Sequence, residues 1–222
     1  MRLVSLLAVA AVSATAHAGV AGNSQSYNDS VNDLFDNSLS NLDIGLCTVA
    51  DNGVNITFTV ETQSFASWTK YMIFIDTAAG GTTSNAWSRP INLTSDIDYF
   101  IGSWVDASSD NSQFVGWDGA GWNWGGVTTF SNSVAGNSVS WTVSLASLGL
   151  SGGETIYFDV ATSGGGNDPG VDHLSVVGAQ STTGWGSPST SNGFLAYQVS
   201  GVPAPGAVAL LGLAGLLGRR RR

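Results

Sequence analysis

The chain has 222 residues, a formal net charge of −9, and only 10% charged residues against 43% hydrophobic ones. Five of its seven basic residues lie at the two ends, so residues 19–201 carry only Lys70 and Arg89 against all sixteen acidic side chains, a formal charge of −14. Such a body repels nucleic acid and anionic lipid headgroups, and we expect no nucleic-acid partner. Two histidines and one cysteine are too few for a zinc site built from several such ligands.

The first eighteen residues have the order of parts that is typical of a secretory signal peptide. A basic start is followed by a mostly apolar stretch over residues 3–12, and Ala16 and Ala18 form a small-x-small cleavage motif. Segments of this kind are removed on export. We therefore predict a signal peptide over residues 1–18 and a single mature domain over residues 19–201.

Alternating apolar and polar residues predict β-strands along this domain, and abundant glycine with few helix formers agrees. In the first strand we expect Leu42, Ile44 and Leu46 to share the inward face. Turn-forming residues at 51–53 and 135–137 predict two hairpins. Short strands without a long amphipathic helix indicate an all-β, antiparallel β-sandwich. The predicted strands cover residues 41–50, 54–61, 70–77, 98–106, 127–133, 138–145, 154–162 and 194–199.

Several of these strands resemble the DOMON-like β-sandwiches, which are related to family 9 carbohydrate-binding modules. The resemblance lies in Asn41-Leu42-Asp43-Ile44, the hairpin that follows it, the strand ending in Phe74-Ile75-Asp76, and Asp98-Tyr99-Phe100-Ile101. It covers about residues 40–180. It implies a jelly-roll-like sandwich, and in the wider group sugar binding is common and calcium is sometimes present.

A tryptophan-rich segment between two predicted strands is the first candidate binding site. Trp117, Trp122 and Trp124 lie within eight residues, with Asp118 and Asn123 between them. Tryptophan faces stack on the apolar face of a sugar ring, while Asp and Asn hydrogen-bond to hydroxyls. The alternative is that these rings cap the core. We predict that the other five tryptophans pack in the core or at its rim.

A glycine-rich turn further along is a candidate calcium site. Asn167, Asp168 and Asp172 offer hard oxygen ligands, and the flanking glycines allow carbonyl groups to turn inward. The spacing does not match an EF-hand loop. A plain turn in which the aspartates hold backbone amides explains the same residues.

Single residues limit the enzymatic alternatives. His173 is the only histidine outside the signal peptide, so a Ser-His-Asp triad would have to use it, and no Gly-x-Ser-x-Gly elbow exists. Sixteen acidic residues leave open a glycosidase with two facing carboxylates. Cys47 has no partner in the chain; we expect a small buried hydrophobe, and the alternative is pairing with another chain.

The end of the chain has the order of parts of a sorting signal, and an ordinary C-terminal membrane anchor is the alternative. Val202-Pro203-Ala204-Pro205 precedes an uncharged run over residues 206–218, and the chain ends on Arg219, Arg220, Arg221 and Arg222. As a helix the run would rise roughly 20 Å, short of a roughly 30 Å hydrocarbon core, and it spans only where the bilayer thins. Basic clusters stay cytoplasmic, so the body would lie outside.

This tail resembles the PEP-CTERM sorting signal of Gram-negative bacteria, with Ala204 in place of the usual Glu. The resemblance implies processing by an exosortase-type membrane enzyme, transient anchoring in the inner membrane, and delivery to the cell envelope or matrix of cells that make exopolysaccharide. We therefore predict a non-catalytic, glycan-binding module. A structural matrix or adhesion protein without a ligand pocket is the alternative, followed by a secreted glycosidase.

Overall fold

A computed structural model describes residues 22–201. The predicted signal peptide with Ala16 and Ala18, and the predicted sorting segment over residues 202–222, lie outside this range. Within it the prediction of an all-β protein is confirmed, because strands dominate and the helices are two single 3-10 turns. None of the helices among the described residues is long and apolar enough to cross a membrane.

The strands are short, and most show the two-residue alternation of a half-buried sheet. The 3-10 turns cover Trp124–Gly126 and Ala146–Leu148. In chain order the strands are β1 Ser24–Asn28, β2 Ile44–Asp51, β3 Asn55–Thr62, β4 Lys70–Asp76, β5 Ile91–Asn92, β6 Tyr99–Trp104, β7 Ser112–Gly116, β8 Thr128–Phe130, β9 Ser133–Ala135, β10 Ser138–Ser144, β11 Thr155–Ser163, β12 Asp172–His173, β13 Ser189–Thr190 and β14 Leu195–Gln198.

Two antiparallel sheets account for most of these strands. The first has the order β1-β2-β3-β10-β9, and the second has the order β12-β11-β4-β6-β7-β8. Strand β14 also pairs with β11, beside β12 along the same edge. A small parallel pair, β5 with β13, lies apart from both sheets.

The main core fills the space between the two sheets. Inward residues of β2, β3 and β10 meet those of β4, β6 and β11, and one continuous cluster of buried apolar side chains results. Trp141 of the first sheet and Tyr71 of the second lie at its centre with ring centroids 5.1 Å apart. The arrangement is consistent with the predicted β-sandwich.

The second sheet is buried on its other face as well. Strand β4 has five successive buried residues, Tyr71 to Ile75, as strands covered on both faces do. The connection between β4 and β6 folds over this outer face, and its Ala86, Ile91 and Ile97 pack against Met72, Phe74 and Phe100. This covered outer face carries the candidate site described below.

One predicted face assignment is wrong. A β-bulge between Ile44 and Leu46 adds a residue to β2, so the inward face passes from Ile44 to Cys47 and Val49, and Leu46 turns outward. A one-residue shift exchanges the two faces of a strand. Cys47 is buried and free, as predicted for a small hydrophobe, and burial raises the pKa of its thiol.

The first predicted hairpin is present. The second forms across its predicted turn with a shorter first strand, because residues 128–130 of the predicted strand 127–133 pair with β7 in the second sheet. Strand β2 pairs with β3 across a turn in which Gly53 has a φ of 76°, and β9 pairs with β10 across Gly136. The turn at Ala146–Leu148 ends on Gly149 in the left-handed conformation. Strands β1 and β7 were not predicted, because their sequences are mostly polar or run into the tryptophan-rich segment.

Replacing Trp141 by alanine should lower the free energy of unfolding by about 3–5 kcal/mol, since its side chain is 0% exposed and its loss leaves a cavity. Trp124, which is 42% exposed, is the matched control, and its replacement should change stability by about 0.5 kcal/mol or less. Urea denaturation measures both variants. Equal losses for the two would contradict this assignment of the core.

Candidate functional site

The tryptophan-rich segment forms a tight turn after β7. Trp117 and Trp122 face each other across an isolated antiparallel bridge, with ring centroids 5.7 Å apart and ring planes at 72°. Between them, Oδ1 of Asp118 accepts hydrogen bonds from the backbone N–H groups of Ala120 and Gly121, which lower the pKa of its carboxyl. Asp118 therefore shapes the turn.

The other predicted polar residue of this segment also has a local partner. The Asn123 side chain accepts a hydrogen bond of 3.1 Å from the backbone N–H of Gly126 and begins the 3-10 turn. The Trp122 ring lies 6.2 Å from that of Phe100 on the outer face of the second sheet, and its Nε1 donates to the Ser84 carbonyl. Only Trp124 is largely open to solvent among these three tryptophans.

A cavity of about 270 Å³ lies on the same outer face. It is lined by Trp87, Trp104, Lys70, Arg89 and Gly166. Lys70 and Trp104 are cross-strand partners on β4 and β6, and the two tryptophan rings lie 6.4 Å apart at 39°. Two aromatic walls and two cationic donors thus surround one opening.

Gly102 determines how the Trp87 wall approaches the sheet. A β-carbon on Gly102 would lie 2.3 Å from the Trp87 ring, so only glycine leaves room for that ring on β6. Trp87 then contacts Phe100 edge-on at 5.3 Å, and its Nε1 donates to Oε1 of Gln113. Because Phe100 also contacts Trp122, the cavity and the tryptophan-rich segment share one underlying residue.

Arg89 is held firmly at the cavity wall. Its guanidinium donates to the Ser163 hydroxyl and to the carbonyls of Gly164 and Asp168, and it lies 5.3 Å from the centre of the Trp87 ring. Its Nε is buried without a hydrogen-bond partner, and the residue as a whole is only 8% exposed. Burial lowers the pKa of this guanidinium, and the charge of Asp168 opposes the shift.

The electrostatics of the cavity differ from those of the rest of the domain. Lys70 and Arg89 are the two Lys or Arg side chains among the described residues, and both line this opening. Lys70 also forms an ion pair of 2.9 Å with Asp106. The two cationic residues were therefore the sequence feature that could have indicated this site. Nothing in the sequence places them beside Trp87 and Trp104.

The predicted calcium ligands lie in two different environments. Asn167 is exposed, and Asp168 borders the aromatic cavity through its contact with Arg89. Asp172 is buried in β12, where ligand oxygens of Asp172, Asp33 and Asp43 lie within 4.8 Å of one another. Of the predicted set, only Asp172 therefore joins other carboxylates that are placed to share a cation, and its neighbours come from a distant part of the chain.

His173 takes part in a buried chain of polar side chains. Its Nδ1 lies 2.7 Å from Oδ2 of Asp159, and its Nε2 lies 3.0 Å from the Ser189 hydroxyl. All three side chains are 0% exposed, so in this conformation the hydroxyl has no open path to a substrate. Gly170 permits the packing, because a β-carbon there would lie 2.3 Å from Nε2. The chain of contacts holds β12 and β13 to β11.

Comparisons with known proteins identify no family for this chain. No protein-family model and no curated protein matches this sequence. A solved structure described as "pH-induced modulation of Streptococcus parasanguinis adhesion by Fap1 fimbriae" is 15% identical, and the match covers 83% of this chain and 97% of that one with a TM-score of 0.26. A TM-score of this size carries no argument about fold or function.

The close approach of Trp87 to β6 can be tested at Gly102. The Gly102→Ala change should push the Trp87 ring away and lower the free energy of unfolding by about 1–3 kcal/mol, as overpacking does. Gly121→Ala is the control, since an added β-carbon there meets nothing within 4 Å. Urea denaturation compares the two variants. A Gly102→Ala protein as stable as the control would refute the described packing.

Proposed function

We propose that this chain is an exported, envelope-sorted, glycan-binding protein that associates with exopolysaccharide and does no chemistry on it. The domain is a jelly-roll-like sandwich in this proposal, and the aromatic cavity is its sugar site. The order of signal peptide, β domain and sorting segment in the sequence supports export. The observation that carries the binding function is the cavity that joins Trp87 and Trp104 to Lys70 and Arg89.

The cavity has the chemistry that a sugar needs. The ring of Trp104 and the ring of Trp87 offer flat apolar surface to the C–H face of a pyranose, while Lys70 and Arg89 supply donors to its hydroxyl oxygens. Its volume of about 270 Å³ is close to the lower end of the range for ligand pockets, about 300–1,000 Å³. The site therefore suits one ring or the end of a chain.

The tryptophan-rich segment supports a longer binding surface. Trp122 and Trp87 both pack on Phe100, so the segment lies on the same face of the sheet as the cavity. Trp124 presents an exposed ring beyond them. We propose that the cavity binds one sugar ring and that Trp124 contacts the polymer outside it, while Trp117, Asp118 and Asn123 maintain the turn.

The structural alternative has its own support. Trp117 and Trp122 pack edge to face rather than as a coplanar platform, and both polar side chains between the tryptophans have turn-forming partners. In a matrix or adhesion protein with no ligand, packing of the rings and formation of the turn would account for the whole segment. It gives no account, however, of why both cations of the domain line an aromatic opening.

Removing the Trp104 ring should weaken polysaccharide binding. One stacked ring contributes on the order of 1.4 kcal/mol, so Trp104→Ala should lose about tenfold in affinity. Affinity electrophoresis through gels that contain the host's own exopolysaccharide measures this, beside the melting temperature of each variant. Trp124→Ala should lose less than Trp104→Ala.

Trp68→Ala is the matched control, because Trp68 is 42% exposed and does not line the cavity. Its retention should equal that of the wild type. If the wild-type protein is not retained at all, or if Trp104→Ala and Trp68→Ala behave alike, the structural alternative replaces glycan binding.

The proposed sorting is tested at the terminal arginines. Replacement of Arg219, Arg220, Arg221 and Arg222 by serine should leave the body folded but prevent its delivery to the envelope, because the basic cluster sets the orientation of the tail. Fractionation of the native host and the mass of the mature protein are the measurements. Unchanged distribution and mass would show that the tail is not the sorting signal.

A further inference from the structure

Three aspartates lie close together in the fold, and a fourth, Asp29, is near enough for two of their charges to act on it. Asp29 and Asp33 belong to the segment between β1 and β2, Asp43 directly precedes β2, and Asp172 lies in β12. One ligand oxygen from each of Asp33, Asp43 and Asp172 lies within 4.8 Å of the others. Burial raises the pKa of Asp29 to about 8, and the charges of Asp33 and Asp43 are among those that add to the shift.

In Asp29, Asp33 and Asp43 one carboxylate oxygen accepts hydrogen bonds and the other has no hydrogen-bond partner. Oδ2 of Asp43 accepts from the backbone N–H of Asn32 at 2.8 Å and from the Gln63 amide, yet its Oδ1 is buried without a partner. The Asp43 residue is 0% exposed. A carboxylate oxygen in that position normally costs free energy unless something binds it.

Asp33 and Asp29 repeat this arrangement. Oδ2 of Asp33 accepts from the backbone N–H of Gly178 at 3.0 Å, and Oδ1 of Asp29 accepts from that of Ser30 at 2.7 Å. The remaining oxygens, Asp33 Oδ1 and Asp29 Oδ2, are buried and have no hydrogen-bond partner. The backbone thus orients the carboxylates and leaves one oxygen of each available.

Asp172 completes the group from the opposite side. Its Oδ2 accepts from the backbone N–H of Ile44 at 2.7 Å and its Oδ1 from that of His173 at 2.8 Å, which leaves a lone pair on each oxygen. The side chain is 1% exposed. It therefore brings a further carboxyl group to the cluster from a strand on the edge of the second sheet.

No side chain of the described domain neutralises these charges. Lys70 pairs with Asp106, and Arg89 is held by Ser163 and by backbone carbonyls beside the aromatic cavity. His173 turns its ring toward Asp159. Buried carboxylates without a cation repel one another strongly in a medium of low dielectric constant.

We propose that Asp33, Asp43 and Asp172 bind one Ca²⁺ ion. Every donor is a hard oxygen, and the free oxygens carry the charge that calcium prefers. Calcium–oxygen distances of about 2.4 Å require two ligands of one ion to lie no more than about 4.8 Å apart, and the oxygens of Asp33, Asp43 and Asp172 lie within 4.8 Å of one another. The set differs from the sequence-predicted one, since it contains neither Asn167 nor Asp168.

The ion would connect parts of the chain that are far apart in sequence. Asp29 and Asp33 belong to the long first connection, whereas Asp172 is 128 residues from its backbone partner Ile44. A bound ion would hold that connection against the start of β2 in the first sheet and against β12 at the edge of the second. Because such a site exists only in the folded state, calcium should stabilise the fold by mass action. This inference does not depend on glycan binding.

The test uses the full chain, freed of metal with EGTA and held at pH 7.5. Calorimetric titration with CaCl₂ should show one ion per chain, and a hundredfold excess over Kd should raise the melting temperature by about 5–10 °C. MgCl₂ at the same concentration should raise it less, because magnesium demands smaller, stricter octahedral geometry. An equal melting temperature in EGTA and in 5 mM CaCl₂ would overturn the proposal.

Substitutions identify the ligands and separate them from general charge effects. Asp33→Asn should reduce calcium affinity at least tenfold, and in EGTA it should melt above the wild type because one repulsive charge is gone. Asp43→Asn should do the same if Asp33→Asn fails to fold. Asp36→Asn, an exposed change in the same connection, should leave the calcium response intact. Asp168→Asn should also leave the calcium response intact. If Asp168→Asn loses the response while Asp33→Asn keeps it, this set of ligands is wrong.

Discussion

The burial of the second sheet on both faces is the constraint on which the rest of this structure depends. Strand β4 has apolar residues at five successive positions, so covering one face with the first sheet leaves the other open to water. The connection between β4 and β6 therefore has to fold back and supply its own apolar side chains. The aromatic cavity is a product of that cover, since Trp87 and Arg89 lie in the covering segment and Lys70 and Trp104 lie in the sheet beneath it.

A second constraint is the shortage of positive charge. With sixteen acids against Lys70 and Arg89 in the domain, buried carboxylates must be satisfied by other means. Asp51 and Asp172 accept hydrogen bonds from backbone N–H groups, and Asp159 is held partly by His173. Where the N–H groups satisfy only one oxygen of a carboxylate, as at Asp43, a charge remains that the protein does not balance. The same acidity that disfavours nucleic acid thus favours a divalent cation.

Polar residues in this fold often have a structural role that resembles a functional one. Asp159, His173 and Ser189 are arranged as a catalytic triad would be, yet they lie in the interior and connect three strands. Asp118 and Asn123 stand between the tryptophans of one segment, yet they form turns. In each case the exposure of the side chain and its nearest partner, rather than the residue type, distinguish support of the fold from contact with a ligand.

The sequence by itself determined the fold class, most of the main strands, the first hairpin and the turn of the second, because alternation and turn chemistry are local properties of the chain. It did not determine the inward face of β2, where one bulged residue exchanges Leu46 for Cys47. Only the tertiary structure decided the two candidate sites. It joins Trp104 to Trp87 through the segment that covers the second sheet, and Asp172 to Asp43 through contact between the two sheets, and no local pattern records which segments will be neighbours.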